Sequence, residues 1–137
     1  MAINFSAYLA FSGETPEALA FYKSVFGGTV DLNEFGEMGT QAGFDATAIM
    51  HGQLTTDAGW TLMAADSTKP GDELLRGGTT LTVWGDDKAA MEKQFAALAE
   101  GGTIGTPLDM QMWGAMYGDL TDKYGISWAF NIQAAGA

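Results

Sequence analysis

The 137-residue chain contains no cysteine and only one histidine, His51. The absence of cysteine excludes a disulfide framework, cysteine-based zinc sites and thiol catalysis. One imidazole per chain also excludes a metal site built from several histidines of one subunit. Any chemistry that needs an imidazole therefore depends on His51.

Basic residues are scarce, with six lysines and arginines against 17 acidic residues and a formal net charge of -11. A field of this sign repels phosphate backbones and anionic lipid surfaces, so we expect neither a nucleic-acid partner nor a membrane partner. The N-terminal sequence MAINFSAYLAF has no basic region and no apolar run long enough for a signal peptide or a membrane span. We expect a cytoplasmic protein.

Proline is rare, charged residues make up only 17% of the chain and apolar residues 47%. This composition is typical of a globular protein and not of a disordered or low-complexity one. A chain of this length is of single-domain size and can bury a substantial core. No serine lies in a Gly-x-Ser-x-Gly motif, and a catalytic triad would have to use the single histidine, so we do not expect a hydrolase with a serine nucleophile.

An internal repeat is visible at a spacing of 74 residues, where AFYKSVFGGTV at 20–30 aligns with QFAALAEGGTI at 94–104. Each copy predicts an amphipathic helix that ends at two glycines. Thr15 is expected to cap the first helix ahead of Pro16, and the second is expected to begin at Asp86 or Asp87. A segment in which apolar and polar residues alternate precedes each helix. Three strand-like runs follow the first helix, at about 29–34, 46–54 and 59–65, and three follow the second, at about 103–111, 113–120 and 126–132. Both halves are therefore predicted to run strand, helix, strand, strand, strand.

Alternation along the strands predicts which side chains face the helices. The helix-facing set comprises Phe5, Leu9, Phe11, Leu81, Val83, Ile126, Trp128, Phe130 and Ile132. In AIMHGQL at 48–54, Ile49, His51 and Gln53 fall together on the opposite side. The Gly-rich segment 34–44 is predicted to be a mobile hairpin loop near a pocket, and it resembles no phosphate-binding loop.

The motifs EALAFYKSVFGG at 17–28, AIMHGQL at 48–54, LMAADS at 62–67 and WGAMYGDLTDKYGISWAFN at 113–131 together resemble the PhnB-like branch of the glyoxalase, bleomycin-resistance and extradiol-dioxygenase superfamily, also called the vicinal oxygen chelate superfamily. The resemblance implies an α+β fold in which two βαβββ modules form curved mixed sheets around a cavity, with the helices outside. It implies one domain over 1–137, made of repeats at about 3–66 and 78–133 and a connector at 67–77. It also implies a homodimer.

Enzymes of this superfamily hold a divalent metal with side chains from the first and last strands of each module. The positions that align with those ligands are occupied here by Ser6, Thr80 and Ala129, with Met63 or Ala65 on the fourth strand. Hydroxyl, thioether and methyl groups are poor ligands for a hard cation, so we predict that the usual metal site is vacant and that no cofactor is bound. The alternative is a divalent metal at a rearranged site that contains His51 with Asp45 or Glu37.

His51 is the one candidate catalytic residue. The side chains predicted to line the ligand cavity are Ser6, Tyr8, His51, Gln53, Met63, Thr80, Thr82, Trp84, Trp113, Tyr117, Ala129 and Asn131. Apolar and aromatic groups with a few polar tips are typical of a small-molecule site.

Three functions remain open at this point. The favoured one is a metal-independent protein that binds a small organic molecule in a cavity of the dimer. The second is a metal-dependent lyase or dioxygenase with a site around His51, and the third is a drug-sequestering protein of the bleomycin-resistance kind, whose acidic charge would suit a cationic drug. Whether the protein is an enzyme stays open; an enzyme of this superfamily would be a lyase, isomerase or dioxygenase.

Overall fold

A computed structural model describes residues 2–38, 46–67 and 73–134, with the backbone alone at residues 37 and 38. The chain divides into two compact units, Met1–Leu75 and Arg76–Ala137. The first unit consists of β1 (Ala7–Phe11), α1 (Thr15–Phe26), β2 (Thr29–Glu34), a short 3-10 helix (Phe35–Met38), β3 (Ile49–Thr55) and β4 (Thr61–Asp66). The second consists of β5 (Thr80–Gly85), α2 (Lys88–Ala99), β6 (Thr103–Met110), β7 (Met116–Thr121) and β8 (Ser127–Ile132).

Each unit contains one open, mixed, four-stranded sheet. The strand orders are β1-β4-β3-β2 and β5-β8-β7-β6. The first strand of each unit runs parallel to the last one, and the remaining neighbours are antiparallel. The predicted α+β fold of two βαβββ modules is therefore confirmed.

The core of the first unit lies between α1 and one face of its sheet. Helix α1 buries Leu19 and Tyr22, and the sheet contributes Phe11, Leu54 and Leu62. Gly52 of β3 makes this packing possible, because a Cβ there would meet the side chains of Leu19 and Thr15.

The second unit repeats this arrangement with α2. Met91, Phe95 and Leu98 form the buried stripe of the helix. The ring of Phe95 meets that of Phe130 edge to face, with centroids 5.5 Å apart. Trp128 and Phe130 are buried on the helix side of β8, as the alternation predicts.

Three local predictions are wrong. Thr15 does not cap α1; Glu14 is the N-cap residue without a side-chain cap bond, and Thr15 Oγ1 donates to Asp66 Oδ1 over 2.8 Å. Phe5 does not face a helix, because it lies before β1 and is 97% exposed. Ile49 does not share a face with His51, because the register between β2 and β3 shifts by one residue between them, and Ile49 is buried.

The Gly-rich segment departs in part from the predicted hairpin loop. Its first residue, Glu34, ends β2, and Phe35–Met38 form a 3-10 helix in which Phe35 is buried. Residues 39–45 lie outside the described residues, as do residues 68–72 of the connector. Within the described ranges, neither helix is long and apolar enough to cross a membrane.

Candidate ligand-binding site

In each unit, one face of the sheet carries the helix; we call the opposite face the helix-free face. Residues in register on neighbouring strands share a face. In the first unit Gly52 faces α1, so His51 and Gln53 point to the helix-free face. Gln53 is in register with Met63 and with Asp31, and Met63 is in register with Tyr8. One cross-strand row of this face therefore brings together three of the predicted cavity residues, Tyr8, Met63 and Gln53.

Tyr8 and His51 form a polar pair across this face. Tyr8 Oη and His51 Nδ1 are 2.8 Å apart, and the ring centroids are 5.5 Å apart. Burial raises the pKa of the Tyr8 phenol, so the hydroxyl keeps its proton at neutral pH. When this hydroxyl donates to Nδ1, the imidazole carries its own hydrogen on Nε2; in the other tautomer Nδ1 donates and Nε2 accepts.

The Nε2 atom of His51 has no hydrogen-bond partner among the described residues. Since Tyr8 holds the ring by Nδ1, Nε2 is available to a ligand as a donor or as an acceptor. Tyr8 is 54% exposed, so the pair is accessible to solvent. These features make the Tyr8–His51 pair a candidate site for a polar ligand group.

Ser6, the first of the aligned metal positions, makes bonds to the backbone. Its Oγ lies within hydrogen-bond distance of the carbonyl oxygens of Ala7 and Thr61, at 2.8 Å and 3.1 Å, for its one hydroxyl hydrogen. Met63 and Ala65, the fourth-strand positions, offer a thioether and a methyl group. This donor set does not fit a hard divalent cation.

The described residues do not test the rearranged metal site of His51 with Asp45 or Glu37. Asp45 and the side chain of Glu37 lie outside the described residues. Across residues 2–36, 46–67 and 73–134, no group of three or more histidine, aspartate and glutamate side chains is placed to hold a metal ion.

The helix-free face of the second unit carries a different set of side chains. One cross-strand row contains Trp84, Asn131, Tyr117 and Asp109. Trp84 is 70% exposed, and Asn131 Oδ1 is buried without a hydrogen-bond partner among the described residues. This row therefore combines an exposed indole with a buried amide oxygen that lacks a partner among the described residues.

The next two rows of this face are rich in small side chains. Thr82, Ala129, Asp119 and Thr106 form one row. The other row consists of hydroxyl residues on all four strands: Thr80, Ser127, Thr121 and Thr103. Ala129, which takes the place of the usual carboxylate ligand, supplies no donor atom.

A pocket of about 210 Å³ lies over the hydroxyl row. Its polar lining comprises Thr80, Thr103, Tyr117, Asp119, Thr121 and Ser127. Asp119 accepts two hydrogen bonds, from the Thr106 backbone N–H at Oδ1 (2.9 Å) and from Tyr117 Oη at Oδ2 (3.0 Å). The pKa of Tyr117 is raised by burial first, and then by the hydrogen bond and the negative charge of Asp119. The phenol therefore remains a donor to this carboxylate.

The structure places the twelve predicted cavity residues in three groups. Unit one brings Tyr8, His51, Gln53 and Met63 onto one face, with Ser6 just before β1. Unit two gathers Thr80, Thr82, Trp84, Tyr117, Ala129 and Asn131 on the other helix-free face. Trp113 belongs to neither set, because it lies in the turn between β6 and β7 and is 66% exposed.

Sequence reasoning missed Asp119. This residue is in the middle of β7. The signal was available, since alternation along MYGDLT places Asp119 on the face of Tyr117.

Comparisons with known proteins agree with the fold and with the motifs. Residues 4–130 match the family described as Glyoxalase/Bleomycin resistance protein/Dioxygenase superfamily. The crystal structure of protein PA1353 from Pseudomonas aeruginosa is 32% identical, with a TM-score of 0.84, covering 97% of this chain and 99% of that one. Protein YjdN of Escherichia coli K12 is 29% identical over 139 residues, covering 93% of each chain. A PhnB protein from Bacillus cereus is 23% identical, with a TM-score of 0.76 and coverage of 95% and 99%. The chain therefore belongs to the Glyoxalase/Bleomycin resistance protein/Dioxygenase superfamily, and a PhnB protein is among the solved structures that share its fold.

Proposed function

We propose that this protein binds a small organic molecule on a helix-free sheet face and does so without a divalent metal. The observation that carries the proposal is the Tyr8–His51 pair, in which the 2.8 Å hydrogen bond to Nδ1 leaves Nε2 available for a ligand. The exposed Trp84 supplies an aromatic surface on the helix-free face of the second unit. Aromatic surface together with a few fixed polar groups is the usual make-up of a small-molecule site.

The metal-free part of the proposal rests on donor chemistry. Ser6 and Thr80 offer neutral hydroxyls, Ala129 offers no donor, and Met63 offers a thioether that hard cations do not favour. Neutral oxygens alone do not offset the cost of removing water from a divalent ion. Recognition of the ligand then depends on hydrogen bonds and apolar contact.

A thermal-melting experiment tests the metal-free part. The melting midpoint is measured with a chelator and then with excess nickel, manganese, cobalt, iron(II) or zinc. A metal at about 100 times its dissociation constant would add about 2.7 kcal/mol and raise the midpoint by several degrees. We expect no such rise; a rise that disappears in His51→Ala would establish the rearranged metal site instead.

A small-molecule screen followed by variants tests the binding part. For a compound that raises the melting midpoint of the wild type, either His51→Ala or Trp84→Ala, according to the sheet face that the compound occupies, is expected to raise the dissociation constant about tenfold, because the variant removes a direct contact. Trp113→Ala is the matched control, since this tryptophan is exposed to a similar degree but lies in a turn outside the helix-free faces. Unchanged affinity in both test variants would contradict the proposal.

A further inference from the structure

The pocket over the hydroxyl row of the second unit has a chemical character that the proposed function leaves unspecified. Among the described residues that line it, Asp119 supplies the one carboxylate, and the other polar side chains are hydroxyl groups. The same described lining contains no lysine or arginine. The pocket therefore has a surplus of acceptor capacity and no cation in its described lining to neutralise it.

The bonds of Asp119 leave part of this capacity unused. A carboxylate has about four lone-pair positions, and the Thr106 N–H and the Tyr117 hydroxyl occupy two of them. These two bonds also hold the carboxylate in a fixed orientation, since one partner is backbone and the other a ring on the same strand. A ligand with N–H donors finds a pre-oriented anion beside the acceptor oxygens of Thr121 and Ser127.

Other classes of ligand match this lining less well. An anion would meet the Asp119 carboxylate, in a chain whose net charge is already -11. A divalent metal needs more charged oxygens than one carboxylate to replace its water shell. A neutral alcohol would bind to the hydroxyls but would gain nothing from the charge.

We propose that this pocket binds the ammonium group of a small organic amine, with Asp119 as its counter-ion. The proposal rests on the proposed function and names the chemical class of the ligand. The volume of about 210 Å³ is below that of sites for drug-sized molecules, so the pocket suits a small amine or the amine end of a larger one.

The test uses benzylammonium as the probe, with benzyl alcohol as its neutral counterpart and benzoate as its anionic one. Binding is followed through the backbone amide signal of Thr106 in two-dimensional NMR spectra, because this N–H donates to Asp119. We expect benzylammonium to shift the signal saturably, and benzyl alcohol and benzoate to bind at least tenfold more weakly, since a hydrogen bond between charged groups is the stronger kind. Equal binding of the amine and the alcohol, or no shift with the amine, would overturn the proposal.

Two variants locate the binding to the pocket. Asp119→Asn keeps a side-chain oxygen for the Thr106 N–H but removes the charge, and is expected to weaken benzylammonium at least tenfold. Asp109→Asn is the matched control, because it removes the same charge from the same sheet face. Asp109 is exposed and does not line the pocket. Equal loss in both variants would mean that only the overall charge attracts the amine, which contradicts a specific site. The wild-type comparison of the three probes does not depend on the folding of either variant.

The failure of this proposal is distinguishable from that of the proposed function. If the affinity of a screening compound depends on His51 or Trp84 while benzylammonium leaves the Thr106 signal unchanged, the proposal of small-molecule binding stands and the proposal of an ammonium pocket is contradicted.

Discussion

Two glycines at equivalent places of the repeat show why single residues matter in this fold. Gly28 and Gly102 each follow a helix and precede the next strand, 74 residues apart. A Cβ at Gly28 would collide with the carbonyl oxygen of Thr55, and a Cβ at Gly102 with that of Thr121. Both carbonyls are at the end of the neighbouring strand, so the Gly-Gly-Thr motif marks a close backbone approach in each unit.

Gly102→Ala is therefore expected to lower the free energy of unfolding by about 1–3 kcal/mol, because backbone must move to accommodate the methyl group. Gly85→Ala is the control: neither glycine has a positive φ, and a Cβ at Gly85 meets only Met91 Sδ, at 3.5 Å. Urea denaturation of the two variants measures the difference. Equal stability of the two variants would show that the close approach of Gly102 to the end of β7 is relieved at no cost.

At the scale of elements, the two helices begin in different ways. Asp87 caps α2 by accepting from the Ala90 N–H over 3.2 Å, whereas α1 has no side-chain cap bond. The start of α1 is instead held from the sheet, since the buried Asp66 at the end of β4 accepts from the N–H groups of Gly13 and Thr15. The Thr15 hydroxyl and the Ile49 N–H also donate to Asp66. A single carboxylate thus joins α1, β3 and β4.

Loss of the α2 cap has a defined cost. Asp87→Ala is expected to lower the free energy of unfolding by about 1 kcal/mol, since one N–H of the first turn loses its acceptor and a negative charge leaves the positive end of the helix. Asp86→Ala removes the same charge one residue earlier, where no cap bond is made, and should change stability by less than about half as much. Thermal or urea denaturation of both variants decides between a cap and a general charge effect.

At the scale of the whole molecule, two units of the same plan present different chemistry on their helix-free faces. A hydroxyl residue recurs at the equivalent positions Ser6 and Thr80, but the Tyr8–His51 pair and the Tyr117–Asp119 pair do not resemble each other. Backbone architecture is therefore repeated while the polar groups on it have diverged, as is common where one scaffold hosts several functions.

The homodimer implied by the family resemblance is a prediction at this scale. Sedimentation velocity at micromolar concentration and physiological salt is expected to give a species of twice the 14.4 kDa of the chain. Moderate salt is needed because a net charge of -11 per chain opposes association at low ionic strength. A species of single-chain mass at all concentrations would contradict the prediction.

The sequence alone predicted the element order, because it depends on local patterns, and its motifs resembled those of the superfamily. The 74-residue repeat, the start of the second helix near Asp86 or Asp87, the strand at 29–34 and the helix-facing side of Trp128 and Phe130 all follow from patterns that neighbouring residues carry. Predictions failed where a distant part of the chain decided the local structure. Asp66, 51 residues away, accepts the hydrogen bond of the Thr15 hydroxyl, and a register shift between β2 and β3 places Ile49 on the other face.

The placement of the candidate site residues was likewise predicted from the sequence in part and decided by tertiary structure for the rest. Alternation was enough to place Tyr8, Gln53 and Trp84 on one side of their strands, because side chains of a strand point alternately to its two faces. Tertiary structure decided that Tyr8 reaches His51, that Asp119 is oriented by Tyr117 and Thr106, and that Trp113 lies in a turn. The Tyr8–His51 and Thr106–Asp119 contacts join different strands, and they depend on sheet register, which no local pattern specifies.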